Sequence, residues 1–292
     1  METFFNGPVR PVGNYRAQLG ESPVWCHQSQ SLLWVDIVQH RLLRYWPARE
    51  VIEQRLLATL FSAALLTERR EQFLLVSDQG ILLYHWDDHQ AQPTKLCPYP
   101  RDAAGTRPNE AAIAPDGSLW FSTMDINESA PLGGWYRFAP GDTRPVKMAG
   151  AMTIPNTLAW HEDRVWFADS AERLFFSASG RGILPQEMRR HPADDMTPDG
   201  SALSREGELI TARFGHGCLS RYRIRQGALT LAEHMPLPVI QPSCCAFGGP
   251  DGATLYITSA RKQLTDPGEL DGALLQVATG TSGAPTYRFR FD

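Results

Sequence analysis

Short apolar runs alternate with Pro-Asp-Gly-type turns along the chain, and the clearest example is RPNEAAIAPDGSLWFSTMD over residues 107–125. It reads as a polar start, an apolar strand, a tight turn, and a second strand ending on a polar residue. The same phrase recurs as ESPVWCHQSQSLLWVD (21–36), SAALLTERREQFLLVSD (62–78), NTLAWHEDRVWFADS (156–170), DGSALSREGELITARF (199–214) and SCCAFGGPDGATLYITSA (243–260). Anchoring on the centre of each second strand, at Trp34, Leu75, Trp120, Trp166, Ile210 and Tyr256, gives successive spacings of 41, 45, 46, 44 and 46 residues. A repeat of about 40 to 50 residues built from short strands, with almost no helical periodicity, is the signature of propeller blades. Third strands are expected in HRLLRYW, GILLYHW, GGWYRF, ERLFFSA, CLSRYRI and GALLQV, each followed by a more polar fourth strand. The pattern predicts an all-β, six-bladed β-propeller, with residues 1–292 forming a single domain. Two segments lie outside the repeat, PVRPVGNYRAQ (8–18) and PTYRFRF (285–291), and one of them is expected to complete the last blade and close a free sheet edge.

Composition narrows the partners. A formal net charge of −4 with dispersed charges gives no basic field for nucleic acid. No run approaches the roughly 20 apolar residues of a membrane span, and METFFNGPVRPVG lacks a basic start followed by an apolar stretch. A soluble, cytoplasmic chain with no membrane partner is the expectation, as a monomer or weak homo-oligomer. The five cysteines form no C-x-x-C pair and no disulfide framework. Cys244 and Cys245, adjacent on a first strand, read as small buried hydrophobes rather than as nucleophiles or thiolate ligands.

In a propeller the first strand of every blade lines the central channel. At the starts of these strands stand Glu21, Ser62, Asn109, Asn156, Asp199 and Ser243, at about one level relative to their anchors. Two carboxylates meeting in a partly dry funnel would repel and raise each other's pKa, and a divalent cation removes that conflict. Carboxylate and carboxamide oxygens suit a hard ion, and without His or Cys the set is unlike a conventional zinc site. Glu21, Asn156 and Asp199 are therefore the expected ligands of one cation in the channel, with Asn109 beside it. Ca²⁺ is the first choice, and Zn²⁺, Mg²⁺ and Mn²⁺ are alternatives.

LGESPVW, RPNEAAIAPDGSLWFSTMD, IPNTLAWHEDRVWFADS, TPDGSALSREGELITARF and SCCAFGGPDGATLYITSAR together resemble the SMP-30/gluconolactonase family, which includes regucalcin and bacterial sugar lactonases. The resemblance spans the chain. It implies a six-bladed propeller with one divalent ion in its channel, hydrolysing an aldonolactone to the aldonic acid. It places the family's metal ligands on Glu21, Asn156 and Asp199 and its substrate-binding arginine and asparagine on Arg107 and Asn109. The acidic residue of the family's substrate loop aligns with Asn127, and Glu128 is adjacent. Two further departures are Asn109-Glu110-Ala111, where the family often has Asn-Asp-Gly, and Asn156-Thr157, where it has Asn-Gly.

The chemistry expected of such a site is lactone opening, with Asp199 as the group that accepts the proton of the attacking water and returns it to the ring oxygen. The fork of donors on Arg107 would hold a carbonyl or hydroxyl oxygen of a small-molecule sugar lactone, and Asn109 a second hydroxyl. The competing readings are a non-catalytic calcium-binding or regulatory propeller and a propeller esterase or phosphotriesterase. The latter typically carries a catalytic histidine, and no histidine stands at a strand start.

Overall fold

The computed structural model describes residues 4–88, 92–179 and 187–291, and contains 24 strands and no α-helix over those residues. After a short N-terminal strand, β1 (Arg10–Val12), blade 1 comprises β2 (Gly20–Cys26), β3 (Ser31–Asp36), β4 (Arg41–Trp46) and β5 (Val51–Leu56). Blade 2 comprises β6 (Phe61–Leu66), β7 (Gln72–Ser77), β8 (Gly80–His85) and β9 (Thr94–Pro98). Blade 3 holds β10 (Thr106–Ile113), β11 (Leu119–Asp125), β12 (Gly133–Phe138) and β13 (Val146–Met152). Blade 4 holds β14 (Pro155–His161), β15 (Arg164–Asp169), β16 (Leu174–Ser179) and β17 (Arg189–Pro192). Blade 5 holds β18 (Pro198–Leu203), β19 (Glu208–Arg213), β20 (Cys218–Arg225) and β21 (Ala228–Pro236). Blade 6 is made of β22 (Gln241–Gly248), β23 (Thr254–Ala260) and β24 (Leu274–Ala278), completed by β1 on β24. These six four-stranded antiparallel sheets are the blades of a six-bladed β-propeller.

Burial along the strands explains their sequence patterns. Every residue of β3, β7 and β11 is buried, because a strand covered on both faces reads as a continuous apolar run. The fourth strands β5, β13, β17 and β21 are mostly exposed or half-buried.

Packing divides the chain into two compact units, Met1–Ala58 with Ala193–Pro285 and Thr59–Pro192 with Thr286–Asp292. The first unit holds blades 1, 5 and 6, with β22 against both β2 and β18. Trp25 of blade 1 stacks on Tyr256 of blade 6 with ring centroids 5.8 Å apart and planes 9° from parallel. Gly248 makes room for that ring, since a Cβ there would lie 2.8 Å from the Trp25 indole. The second unit holds blades 2, 3 and 4, with β10 against both β6 and β14. One of its apolar clusters joins Leu74, Val76, Ile113 and Phe121, and another joins Trp120, Trp135, Leu158 and Phe167. No helix among the described residues is long and apolar enough to cross a membrane.

The N-terminal segment completes the last blade, with Arg10, Pro11 and Val12 paired to Gln276, Leu275 and Leu274. The C-terminal run takes a different role: Phe289 forms a parallel bridge to Thr67 and stacks on Phe138 at 5.9 Å. Residues 106–110, which follow a Pro-rich connection and resemble a loop in sequence, belong to β10.

An aspartate ends the second strand in three blades, and it has a structural purpose there. Asp36 accepts the N–H groups of Gln18, Leu19 and Gln39, and Asp169 those of Thr153, Ile154 and Ala171. Asp125 accepts those of Asn127, Ser129 and Ala130, and these bonds hold its carboxyl below the usual range. Each carboxylate ties down backbone groups of neighbouring loops that the sheet ladders leave unmatched. Asp169→Ala should therefore lower unfolding stability by about 3 kcal/mol, more than Asp169→Asn, because it takes the acceptor from three partly buried N–H donors at once. Urea unfolding of the two variants would check the order.

Candidate functional site

The first strands share one irregularity at the positions singled out from sequence. In β2 the pairing passes from Glu21↔Val35 to Val24↔Leu33, and in β6 from Phe61↔Ser77 to Ala63↔Val76. In β10 it passes from Pro108↔Thr123 to Ala111↔Phe121, and in β14 from Asn156↔Ala168 to Leu158↔Phe167. In β18 it passes from Pro198↔Arg213 to Ser201↔Thr211, and in β22 from Pro242↔Ser259 to Cys244↔Thr258. Each first strand carries one residue more than its partner, a β-bulge, and a bulge re-aims side chains that a regular ladder would send into the sheet. Glu21, Ser62, Asn109, Asn156, Asp199 and Ser243 all stand at or beside it. The strand-and-turn pattern does not reveal these bulges, because an extra residue alters neither the turn signals nor the apolar content.

In the second unit the bulges of β10 and β14 are joined by a directed chain of hydrogen bonds. Arg107 Nη1 donates to Asn109 Oδ1 at 3.0 Å and to the Pro108 carbonyl at 3.0 Å. Asn109 Nδ2 donates to Asn156 Oδ1 at 2.9 Å and to the Pro155 carbonyl at 3.1 Å, and Asn156 Nδ2 donates to Ser170 Oγ at 2.9 Å. A guanidinium only donates and a carbonyl only accepts, so Asn109 has one possible orientation between them. Its NH₂ group faces Asn156, and Asn156 must answer with its oxygen. Asn156 is buried, while Arg107 and Asn109 are half-buried.

Asn127 and Glu128 lie on the exposed turn built on Asp125, next to the start of β10, where Arg107 pairs with Met124. Glu128 adopts a left-handed backbone, φ 57°, and its N–H donates to the Asp125 carbonyl at 3.1 Å.

In the first unit Glu21 is half-buried, and its Oε2 accepts the N–H of Ser22, which is itself left-handed at φ 48°. Asp199 is buried, 7% exposed. The glycine after it admits the thiol of Cys244 from β22, since a Cβ on Gly200 would fall 2.2 Å from that sulfur. Ser243 donates to the Gly20 carbonyl, just ahead of Glu21, and so links the β22 bulge to the start of β2. All five cysteines are buried and unpaired in disulfides, in keeping with the apolar role expected of Cys244 and Cys245.

Glu110, which the sequence offers as a departure from the family motif and as an alternative base to Asp199, also belongs to this region. The Glu110 carboxylate accepts the N–H of its neighbour Ala111 at 2.9 Å and the N–H of Thr157. Burial pushes this carboxyl up to about 7, against the downward pull of those two N–H groups. Its signal in the sequence is its place one residue after Asn109.

No group of three or more His, Cys, Asp and Glu side chains among the described residues is placed to hold a metal. Taken one by one, the carboxylates of Glu21 and Asp199 and the amide oxygen of Asn156 are hard oxygen donors of the kind a divalent cation takes. In the second unit, the Ser62 hydroxyl at the β6 bulge is buried with no hydrogen-bond partner among the described residues. A buried polar atom in that condition suits a place where a non-protein oxygen completes the bonding.

Six four-stranded blades, each with a bulged first strand that carries an oxygen-bearing side chain at or beside the bulge, define the class as a six-bladed β-propeller. Within that class, residues 19–261 match the SMP-30/Gluconolactonase/LRE-like region, and the chain belongs to that family. It is similar to a 6-deoxy-6-sulfogluconolactonase of Pseudomonas putida, 30% identical over 270 residues and covering 88% of both chains. It is also similar to an L-arabinolactonase of Azospirillum brasilense, 28% identical over 313 residues, covering 97% of this chain and 96% of the relative. Among solved structures, a calcium-binding protein, regucalcin, from Agrobacterium tumefaciens superposes with a TM-score of 0.87 at 24% identity, covering 99% of this chain and 100% of that one.

Because the Glu110 pKa is raised in the folded state, the native protein holds a proton that the unfolded chain releases. The associated stability is fully present below the unfolded carboxyl value of roughly 4.3 and is lost as pH rises through about 7. Thermal unfolding of chelated protein across this window should show the wild type losing stability relative to Glu110→Gln as pH increases.

Proposed function

We propose that the protein is a metal-dependent sugar lactonase that opens an aldonolactone to its aldonic acid, acting as one propeller domain in the cytoplasm. The observation that carries this reading is the Arg107–Asn109–Asn156 chain, which sets a guanidinium and an amide beside a residue of the oxygen-only donor set. An ion-binding propeller has no need of such a pair, whereas a hydrolase requires donors for its substrate. The sulfogluconolactonase and arabinolactonase relatives support the same substrate class.

Glu21, Asn156 and Asp199 would hold one divalent cation, Ca²⁺ by preference. The support is the equivalent place of each in its blade, together with family membership. When bound, the ion would supply Lewis-acid polarisation of the lactone carbonyl. Asp199 accepts the proton of the attacking water and delivers it to the ring oxygen as the C–O bond breaks, so that acid and base roles fall on one carboxyl in succession. Arg107 directs its remaining N–H donors at a lactone oxygen, and Asn109, already oriented by Arg107, offers its amide to a hydroxyl. Asn127 and Glu128, exposed on the adjoining turn, meet the far hydroxyls of the sugar.

Lactone opening followed by proton release, with spontaneous hydrolysis subtracted, tests the reading on a panel of aldonolactones. Activity should vanish on chelation and return with Ca²⁺, Mg²⁺, Mn²⁺ or Zn²⁺. At saturating metal, Asp199→Asn should lose about 10²- to 10⁴-fold in kcat, the usual cost of removing a general base. Arg107→Ala should act mainly on KM. No rate above background with any aldonolactone would overturn the lactonase reading in favour of ion binding, and unchanged kcat in Asp199→Asn would remove Asp199 as the base.

A further inference from the structure

Thr157 is the extra residue of the β14 bulge, directly after Asn156. It is fully buried and sits at φ 53°. A β-branched residue is a poor occupant of the left-handed region, and such a conformation persists only where its surroundings over-determine it. The surroundings here come from the β10 bulge. The Glu110 carboxylate accepts the Thr157 N–H, while Ser122 Oγ takes the Glu110 N–H at 3.0 Å and donates to the Pro155 carbonyl at 3.0 Å. Asn109 holds Pro155 and Asn156 from the same strand. Pro155, Asn156 and Thr157 are thus gripped at successive positions by two adjacent residues of β10 and by the serine behind them.

We propose that Glu110 is a positioning residue: its carboxylate holds Thr157 in the left-handed turn and thereby fixes where Asn156 presents its oxygen. The length of the glutamate is what permits this. Its side chain turns back to accept the N–H of Ala111 and still reaches across to blade 4. Glu110 and Thr157 form one latch, in which an acidic side chain on one blade compensates a strained backbone on the next. Without the carboxylate the Thr157 N–H loses its acceptor inside the protein, and the bulge relaxes toward the regular ladder, turning Asn156 away. This inference rests on the reading of Asn156 as a metal ligand, and the two can be tested separately.

The experiment compares wild type, Glu110→Ala, Glu110→Gln, Thr157→Gly and the Glu110→Ala/Thr157→Gly pair in two measurements. Hydrogen–deuterium exchange in chelator, read on peptides covering residues 155–161, reports the latch without metal. Calorimetry with Ca²⁺ reports the consequence for Asn156. Glu110→Ala should speed exchange in those peptides and weaken Ca²⁺ binding by about 10- to 100-fold, the usual effect of losing a residue that orients a ligand. Glu110→Gln keeps an acceptor oxygen and should lose less. Glycine enters φ > 0 freely, so Thr157→Gly should restore most of the affinity in the double variant, a recovery that general destabilisation would not produce. Unchanged exchange in Glu110→Ala overturns the latch. Faster exchange with unchanged affinity, or an unrecovered double variant that circular dichroism shows to be folded, overturns the positioning role. Absence of Ca²⁺ binding by the wild type overturns the metal reading instead, and exchange alone then decides whether the latch holds.

Discussion

The extra residue in each first strand is the constraint on which the candidate site depends. Side chains of a strand alternate with a period of two, so a strand packed on both faces leaves no regular position for a polar group at its end. One inserted residue breaks the alternation locally. The apolar part of β14, from Leu158 onward, keeps its register against Phe167 and Trp166, while Asn156 pairs with Ala168 on the other side of the extra residue. The same shift occurs in β2, between the pairs Glu21↔Val35 and Val24↔Leu33.

A bulge leaves backbone donors unmatched and forces unusual dihedrals, and the neighbouring polar side chains meet both costs. Ser22 at φ 48° gives its N–H to Glu21, and Thr157 at φ 53° gives its N–H to Glu110. Ser243 reaches the carbonyl of Gly20, and Ser122 that of Pro155. The side chains closest to the site are therefore partly structural. Substitutions among them alter geometry as well as chemistry, and binding must be measured separately from turnover.

Charge and polarity in the second unit follow from one fixed direction. Arg107 can only donate, and that single fact propagates through Asn109 to Asn156 and ends on the Ser170 hydroxyl. Glu110 lies beside this chain as a carboxyl whose burial favours its protonated form. Its two backbone donors offset part of that penalty, which is why an acidic residue is tolerated in a place that also has to remain rigid.

The amino-acid sequence by itself determined the repeat, the six blades and the strands that compose them. Strand periodicity and turn residues are local properties, and each hairpin writes them independently. The polar residue closing the second strands was visible too, although its meaning was not: Asp36, Asp125 and Asp169 act on backbone groups of neighbouring loops, which no local pattern encodes. For the site, the positions were legible through their common level before the anchors. Tertiary structure alone decided the rest. It placed the N-terminal strand β1, rather than the C-terminal run, on β24, while Phe289 of the C-terminal run stacks on Phe138 and bridges through its backbone to Thr67. It also turned Glu110 from a departure in a motif into a support for Thr157, since the two residues are 47 apart in the chain and meet only when the bulges of adjacent blades pack together.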